Sequence, residues 1–152
     1  PFAWHSIHRF CRGTDMGIIF NEGRFSGVDQ RLVAIAQEAC QALPFDVIVV
    51  EGVRTIQRQQ DLYAQGRTKP GKVVTWTMNS KHIDGLAVDL APYDHETRQI
   101  LWGDVLKFND MIRSMLRVAA AHKVKIRSGA DWNQNGVLRE NRETDSPHFE
   151  LV

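Results

Sequence analysis

Two short polar motifs, far apart in the chain, place the strongest limit on how this sequence can fold. The first runs from Ser80 to Asp89 and contains His82, and the second runs from Asp145 to His148. Two imidazoles and a carboxylate are the ligand set of a catalytic zinc site, which keeps its fourth position for water. His82, Asp89 and His148 fit the ligand roles, and Asp145 fits a base that takes a proton from that water. A fold that uses these residues together must bring both motifs to one place.

The first motif predicts a turn followed by a strand. Residues 86–90 form a short apolar run, and Asp84-Gly85 stands directly before it. This dipeptide is typical of tight turns because glycine tolerates positive φ. A bend there would fold His82 back toward Asp89.

The second motif predicts a partner for that strand. Residues 148–152 read as another strand, with Pro147 at its start, where a missing N–H removes no ladder hydrogen bond. If this strand pairs with residues 86–90, His148 completes the site. Asp145 would then lie in a polar loop beside the metal without binding it.

The two motifs resemble those of the zinc D-Ala-D-Ala carboxypeptidase and L-alanyl-D-glutamate peptidase family. That family combines Ser-x-His-x-x-Gly-x-Ala-x-Asp with a later Asp/Glu-x-x-His, and the chain looks most like its short, single-domain phage endolysins. The resemblance covers about residues 25–152. The matching residues are Ser80, His82, Gly85, Ala87, Asp89, Asp145 and His148.

The resemblance implies a Zn²⁺-dependent peptidase that cuts a peptidoglycan stem peptide, in the first place the L-Ala–D-Glu bond, and so lyses a host cell. One alternative is a D-Ala-D-Ala carboxypeptidase, which needs a closed pocket with a cation for the terminal carboxylate. The other is a zinc-stabilised module that binds the wall and has lost catalysis. The presence of Asp145 argues against that last interpretation.

Four further side chains are candidates for the site. Arg54, within residues 51–55, resembles a functional arginine of the family and is expected to stabilise an oxyanion or bind a substrate carboxylate, unless it is an ordinary surface residue. Ser80 is expected to contact substrate or only to form a turn, and Trp132 to line the cleft or only to pack in the core. Glu150 is expected on a solvated strand face, with a contact to a metal ligand as the alternative.

Hydrophobic periodicity predicts an α+β domain with a small, largely antiparallel sheet flanked by helices. The resemblance implies that this sheet carries the zinc site, as in hedgehog-type and D-Ala-D-Ala peptidase domains. The helices are predicted from a Ser26 cap to just before Pro44, over residues 56–64 after a Thr55 cap, and after an Asp104 cap. The strands are predicted at residues 45–50, 86–90, 124–128 and 148–152, and a long loop at residues 67–77.

The length of 152 residues indicates one domain. Residues 1–15 show no helical or strand period, so we expect an N-terminal tail, with Met16 as a candidate natural start and the preceding residues then vector-derived. Residues 16–152 would form the zinc peptidase domain.

Net charge and hydropathy limit the classes of molecule that this chain is expected to bind. A net charge of +1 gives no basic face for nucleic acid, and no apolar run approaches the length of a membrane span. The start of the chain lacks the pattern of a secretion signal. We therefore expect a monomer that waits in the host cytoplasm, is released with the help of a holin, and acts on peptidoglycan in the periplasm or cell wall.

Overall fold

The computed structural model describes residues 16–152, so the predicted tail at residues 1–15 lies outside the described residues. Three α-helices are present: α1 (Gln30–Gln41), α2 (Ile56–Ala64) and α3 (Val105–Ala121). Six strands accompany them: β1 (Ile19–Phe20), β2 (Asp46–Glu51), β3 (Ala87–Asp94), β4 (Gln99–Ile100), β5 (Ile126–Gly129) and β6 (Asp145–Leu151). Short 3₁₀ turns lie at Glu22–Phe25 and Glu140–Arg142.

The strands form one sheet in the order β1-β2-β3-β6-β5, and β4 pairs with the far end of β3. Only the short β1–β2 pair is parallel, and every other pair in the described part of the chain is antiparallel. The predicted α+β fold with a largely antiparallel sheet is confirmed. Strand β6 pairs directly with β3, as the interpretation of the two motifs required.

The helix starts follow local capping chemistry. Thr55 accepts a hydrogen bond from the backbone N–H of Arg58, and Asp104 accepts one from Lys107, so both predicted caps are confirmed. The predicted Ser26 cap is wrong, because Asp29 begins α1 instead. The backbone N–H of Asp29 donates to Gly85 O (2.8 Å), and this contact fixes where the helix starts.

One face of the sheet carries the core. Alternate residues of β2, β3 and β6 point to this face, because side chains along a strand alternate between the two sides. They pack with α1 and α3 in a single apolar cluster. The fully buried strand residues of this face include Val47, Val49, Val88, Leu90 and Phe149.

The end of the sheet nearest the two motifs is irregular. The β2–β3 register shifts between Val49 and Glu51, and the β5–β6 register shifts between Ser128 and Gly129. Pro147 is therefore not the first residue of its strand, as predicted, but lies within β6, where the β5–β6 ladder is interrupted. A missing N–H is tolerated at such a bulge, and bulges redirect the side chains next to them.

Candidate active site

Three side chains from the two motifs converge at this irregular end of the sheet. His82 Nε2 lies 3.2 Å from Asp89 Oδ1 and 3.2 Å from His148 Nδ1. His148 Nδ1 lies 3.1 Å from Asp89 Oδ1. Asp89 and His148 face each other across β3 and β6, and His82 comes from the turn before β3. These are the residues that the sequence selected as zinc ligands.

The outer nitrogens of both imidazoles are already hydrogen-bonded. His82 Nδ1 lies 2.8 Å from the Gly52 carbonyl oxygen, and His148 Nε2 lies 2.9 Å from Glu150 Oε2. Burial lowers the pKa of His148, but its hydrogen bonds to Asp89 and Glu150 outweigh that effect and raise the pKa to about 9, so a cation that binds there must displace a proton. The Gly52 and Glu150 oxygens can only accept, so in a neutral ring the outer nitrogen carries the proton and the inner nitrogen keeps a free lone pair. Two such lone pairs and the Asp89 carboxylate then face one another, which fits a cation. This donor set is suited to zinc.

The turn that presents His82 depends on a glycine. Gly85 has a φ of +71°, and a Cβ there would collide with the Gly27 carbonyl oxygen. The turn is held against the end of β2 by a hydrogen bond from Arg54 N to His82 O (2.9 Å). The predicted bend at Asp84-Gly85 thus exists, and it brings His82 back over Asp89.

Behind His148 lies an ion pair between Glu150 and Arg127, which the sequence did not predict. Glu150 is buried, so the expected solvated position is wrong, and the alternative of a contact to the candidate ligand His148 is the one present. Arg127, its neighbour across β5 and β6, donates to Glu150 Oε1 from both Nε and Nη2. Burial raises the pKa of Glu150, but the hydrogen bonds from His148 and Arg127 outweigh it and lower the pKa to about 2. The carboxylate stays charged and orients the imidazole, as carboxylates behind metal-binding histidines do.

Asp145 begins β6 and opens onto the same cleft. The residue is exposed at the cleft, yet protein atoms around its carboxyl group partly desolvate it, and the negative charge of Asp89 lies nearby. Both effects raise its pKa. Gly129, opposite Asp145 in β5, allows this approach, because a Cβ there would collide with the Asp145 carbonyl oxygen. A carboxyl group with a raised pKa, beside the three converging donors, suits proton transfer.

Arg54 is largely buried and points toward the same donors. Its Nη2 lies 4.0 Å from Asp89 Oδ2. Nε donates to Glu51 Oε1 (3.0 Å), and Nη1 donates to Gln59 Oε1 (2.8 Å). The alternative of an ordinary surface arginine is wrong, since the side chain is only 10% exposed. Fixed on two sides, the guanidinium is held in place before any ligand arrives.

Ser80 and Trp132 also line the cleft. Ser80 Oγ accepts a hydrogen bond from His82 N (3.3 Å), so this residue shapes the turn. The Trp132 ring lies 5.3 Å from the His148 ring between centroids, and the Arg127 guanidinium lies 5.1 Å from the Trp132 ring centroid. Trp132 is half-buried and forms a wall beside His148 rather than part of the core.

The cleft has a volume of about 830 Å³ and is open to solvent along one side. One wall is formed by residues within 73–81, in and just beyond the loop predicted at residues 67–77. The donors lie at its floor, and Asp145 and Arg54 lie beside them.

The family of phage L-alanyl-D-glutamate peptidases has a sequence model that matches residues 20–152 of this chain. The chain belongs to this family. The predicted membership in a family of peptidoglycan peptidases is confirmed.

Two curated relatives carry names from the same family. The L-alanyl-D-glutamate peptidase of Escherichia phage T5 is 32% identical over 138 residues, which cover 87% of this chain and 94% of that protein. The peptidoglycan L-alanyl-D-glutamate endopeptidase CwlK of Bacillus subtilis (strain 168) is 33% identical over 111 residues, 70% of this chain and 61% of that protein.

A solved structure has a similar fold. The L-Ala D-Glu endopeptidase ChiX of Serratia marcescens superimposes with a TM-score of 0.70 at 23% sequence identity, covering 89% of this chain and 90% of that one. Within residues 16–152, none of the helices has the length and apolar character needed to cross a membrane.

Sequence reasoning missed the residues that support the site from behind. Glu51 and Gln59 fix Arg54, and Arg127 fixes Glu150. The available signal was the polar character of Glu150 and Arg127 within strands of an otherwise apolar sheet. Gln59 gave no such signal, because a glutamine on a polar helix is unremarkable until its burial is known.

Proposed function

We propose that this chain is a zinc-dependent peptidase that hydrolyses the L-Ala–D-Glu bond of peptidoglycan stem peptides. The observation that carries the proposal is the convergence of two imidazole lone pairs and the Asp89 carboxylate at the floor of an open cleft. His82, Asp89 and His148 would hold the metal. Zinc bound there would supply a Lewis acid that acidifies water and polarises a carbonyl group.

The remaining residues have distinct roles in this proposal. Asp145 takes a proton from the attacking water and gives it to the leaving amine. Its raised pKa makes it a stronger base for the first transfer and brings it nearer the operating pH, where one group can serve as base and then as acid. Arg54 stabilises the negative charge that develops on the carbonyl oxygen, because Glu51 and Gln59 already hold its guanidinium in position. Ser80 and Trp132 bind the stem peptide along the cleft walls.

The choice of bond rests on the relatives and on the form of the cleft. The T5 and CwlK relatives are named for L-alanyl-D-glutamate cleavage. An endopeptidase needs a groove that admits chain on both sides of the bond, and the open side of this cleft suits that requirement. A D-Ala-D-Ala carboxypeptidase would instead require a pocket closed at one end, which the open side of this cleft does not provide.

The proposal also covers the part of the chain that acts, its oligomeric state and the place where it acts. The unit that acts is residues 16–152, as a monomer, on peptidoglycan in the cell wall. Release from the host cytoplasm with the help of a holin also stays a prediction.

Digestion of purified sacculi tests the proposal. The zinc-loaded protein should release material whose new termini, identified by mass spectrometry, are L-Ala carboxyl and D-Glu amino groups. Release of free D-Ala would support the carboxypeptidase alternative. Binding to sacculi without any new terminus, by zinc-loaded protein, would support the non-catalytic wall-binding module.

A further inference from the structure

The cleft is lined by a second tryptophan besides Trp132. Trp76 lines the cleft and is 83% exposed, the highest value among the large apolar residues that the structure describes as exposed. Exposed tryptophans at the edge of a cleft are unusual, because burying an aromatic ring is favourable. Such a ring is typical of a contact for a ligand.

The segment on both sides of Trp76 is held rigidly from α2. Gln59 is fully buried, and its Nε2 donates to Thr77 O (2.6 Å) and to Thr75 Oγ1 (3.3 Å). Arg67 Nη2 donates to Thr75 O (3.1 Å). The neighbours of Trp76 in sequence are therefore both fixed, although the ring itself is exposed.

One side of the indole ring is also supported. The Arg67 guanidinium lies 5.5 Å from the Trp76 ring centroid, and it lies 3.9 Å from the Tyr63 ring centroid on α2. Arg67 thus packs between the two rings. With its backbone fixed and one face supported, Trp76 offers its exposed surface with little ordering cost on binding.

The side chains next to Trp76 indicate which ligand this surface suits. Residues 73–80 include no ionisable side chain, and Thr75, Thr77 and Asn79 add neutral polar groups to the cleft wall. An aromatic ring beside neutral hydrogen-bonding groups suits the apolar C–H face of an uncharged sugar ring. The charged groups of the lining, such as Lys81 and Arg58, lie outside this neutral stretch, where they can pair with the carboxylates of the stem peptide.

The chemistry of the proposed substrate brings a sugar to this region. In peptidoglycan the amine of L-Ala is joined to the lactyl group of N-acetylmuramic acid. One alanine and one lactyl unit therefore separate the scissile bond from the glycan. Two such units in extended form span about 7 Å. A cleft that holds the L-Ala–D-Glu bond has a sugar ring close to one end.

We propose that Trp76 is a sugar-stacking platform, which binds the glycan strand of peptidoglycan while the stem peptide lies over the metal-binding side chains. This inference rests on the proposed function and adds to it a second substrate contact, made to sugar rather than to peptide. It gives the cleft a preference for stem peptides that are still attached to glycan.

The test compares two substrates with the same stem peptide, one attached to its disaccharide and one acetylated at L-Ala without sugar. The variants are Trp76→Ala, Trp76→Phe and, as a matched control, Trp102→Ala. Trp102 is another exposed tryptophan (56%), it lies between β4 and α3, and it is not among the residues that line the cleft.

The measured quantity is the ratio of kcat/KM for the sugar-bearing over the sugar-free substrate. Trp76→Ala should lower this ratio about 3–10-fold through KM, the effect expected of one lost aromatic contact. Trp76→Phe should retain most of the ratio, and Trp102→Ala should leave it unchanged. An unchanged ratio in Trp76→Ala, or equal losses on both substrates, would overturn the proposal.

A binding assay separates this proposal from the proposed activity. In an Asp145→Ala background, retention on purified sacculi should fall when Trp76→Ala is added and should not fall when Trp102→Ala is added. If the wild-type protein cuts neither substrate, the peptidase proposal fails, while retention still decides whether Trp76 binds glycan. Equal retention of both double variants would refute the sugar platform.

Discussion

The two faces of strands β3 and β6 differ as sharply as any two regions of this molecule. Toward α1 and α3 the strands present Val88, Leu90 and Phe149, all fully buried. On the opposite face, one residue away in each case, they present Asp89 and His148. The period of two along a strand allows the same two strands to serve the core and the site.

The difference also shows what holds each face together. The apolar face is stabilised by removing surface from water, and it tolerates exchange between side chains of similar volume. The polar face contains buried charges, which are costly unless they are paired. There each group has a specific partner: Glu150 pairs with Arg127 and Arg54 with Glu51. Substitutions on the two faces should therefore have separable effects.

Loss of a metal-binding side chain should have the largest effect on activity. His82→Ala, or His148→Ala, should abolish sacculus lysis and lower Tm, because metal binding is coupled to folding. Elemental analysis should find one zinc per wild-type chain and none in either variant. His122→Ala is the control, since this histidine is exposed and pairs only with the exposed Glu38. A fully active wild-type preparation without metal would contradict the prediction.

Loss of the proposed base should be the next largest effect, and it distinguishes the two carboxylates. Asp145→Ala should lower kcat about 10²–10⁴-fold while zinc and fold are kept. Asp89→Ala should lose zinc as well, because Asp89 lies within 3.2 Å of both imidazole nitrogens. Zinc content and turnover are measured on both variants. If Asp145→Ala loses zinc and Asp89→Ala retains it, the two roles are reversed.

Removing the charge of Glu150, which accepts a hydrogen bond from His148, should have an intermediate effect. Glu150→Gln keeps the shape but removes the charge that accepts from His148 Nε2, and zinc affinity should fall about 10–100-fold. Competition with a chelator of known affinity gives the change. Glu38→Gln is the matched control, because it alters a histidine–carboxylate pair on the surface. Equal zinc affinities of the wild type, Glu150→Gln and Glu38→Gln would show that Glu150 does not support metal binding.

Substitution on the apolar face should change activity least. Leu90→Ala should lower the free energy of unfolding by about 2–5 kcal/mol, because it leaves a cavity beneath β3. Zinc content and kcat per folded molecule should match the wild type. Chemical denaturation supplies the stability, and Leu106→Ala, at an exposed leucine, is the control. A large loss of kcat in folded Leu90→Ala would show that the two faces are coupled.

Features with a local cause could be predicted from the sequence. Helix α2 begins after Thr55 and α3 after Asp104 because a single side chain caps each helix. The bend at Gly85 follows from glycine chemistry. The convergence of the candidate metal ligands could be predicted because their residue types and order are specific, and the pairing of β3 with β6 brings them together.

Features with a tertiary cause could not be predicted. Ser26 and Asp29 are equally good caps by type, and a contact with Gly85 decides between them. Strand β3 extends through Pro92, which local rules would exclude, because β2 and β4 pair with its far end. The alternation of residues along β6 cannot predict that Glu150 is buried, because its burial depends on the strand order, which places β6 between β3 and β5.

The position of β6 in the sheet also affects how the protein is made. Strand β6 is the last strand of the described chain, yet it lies between two strands that precede it in sequence. During synthesis, β3 and β5 have no common neighbour until β6 has left the ribosome. The sheet must close through contacts between distant segments, which are slow to form, and His148 arrives with that closing strand. The same step that completes the sheet completes the candidate metal site, so a partly synthesised chain lacks the full ligand set.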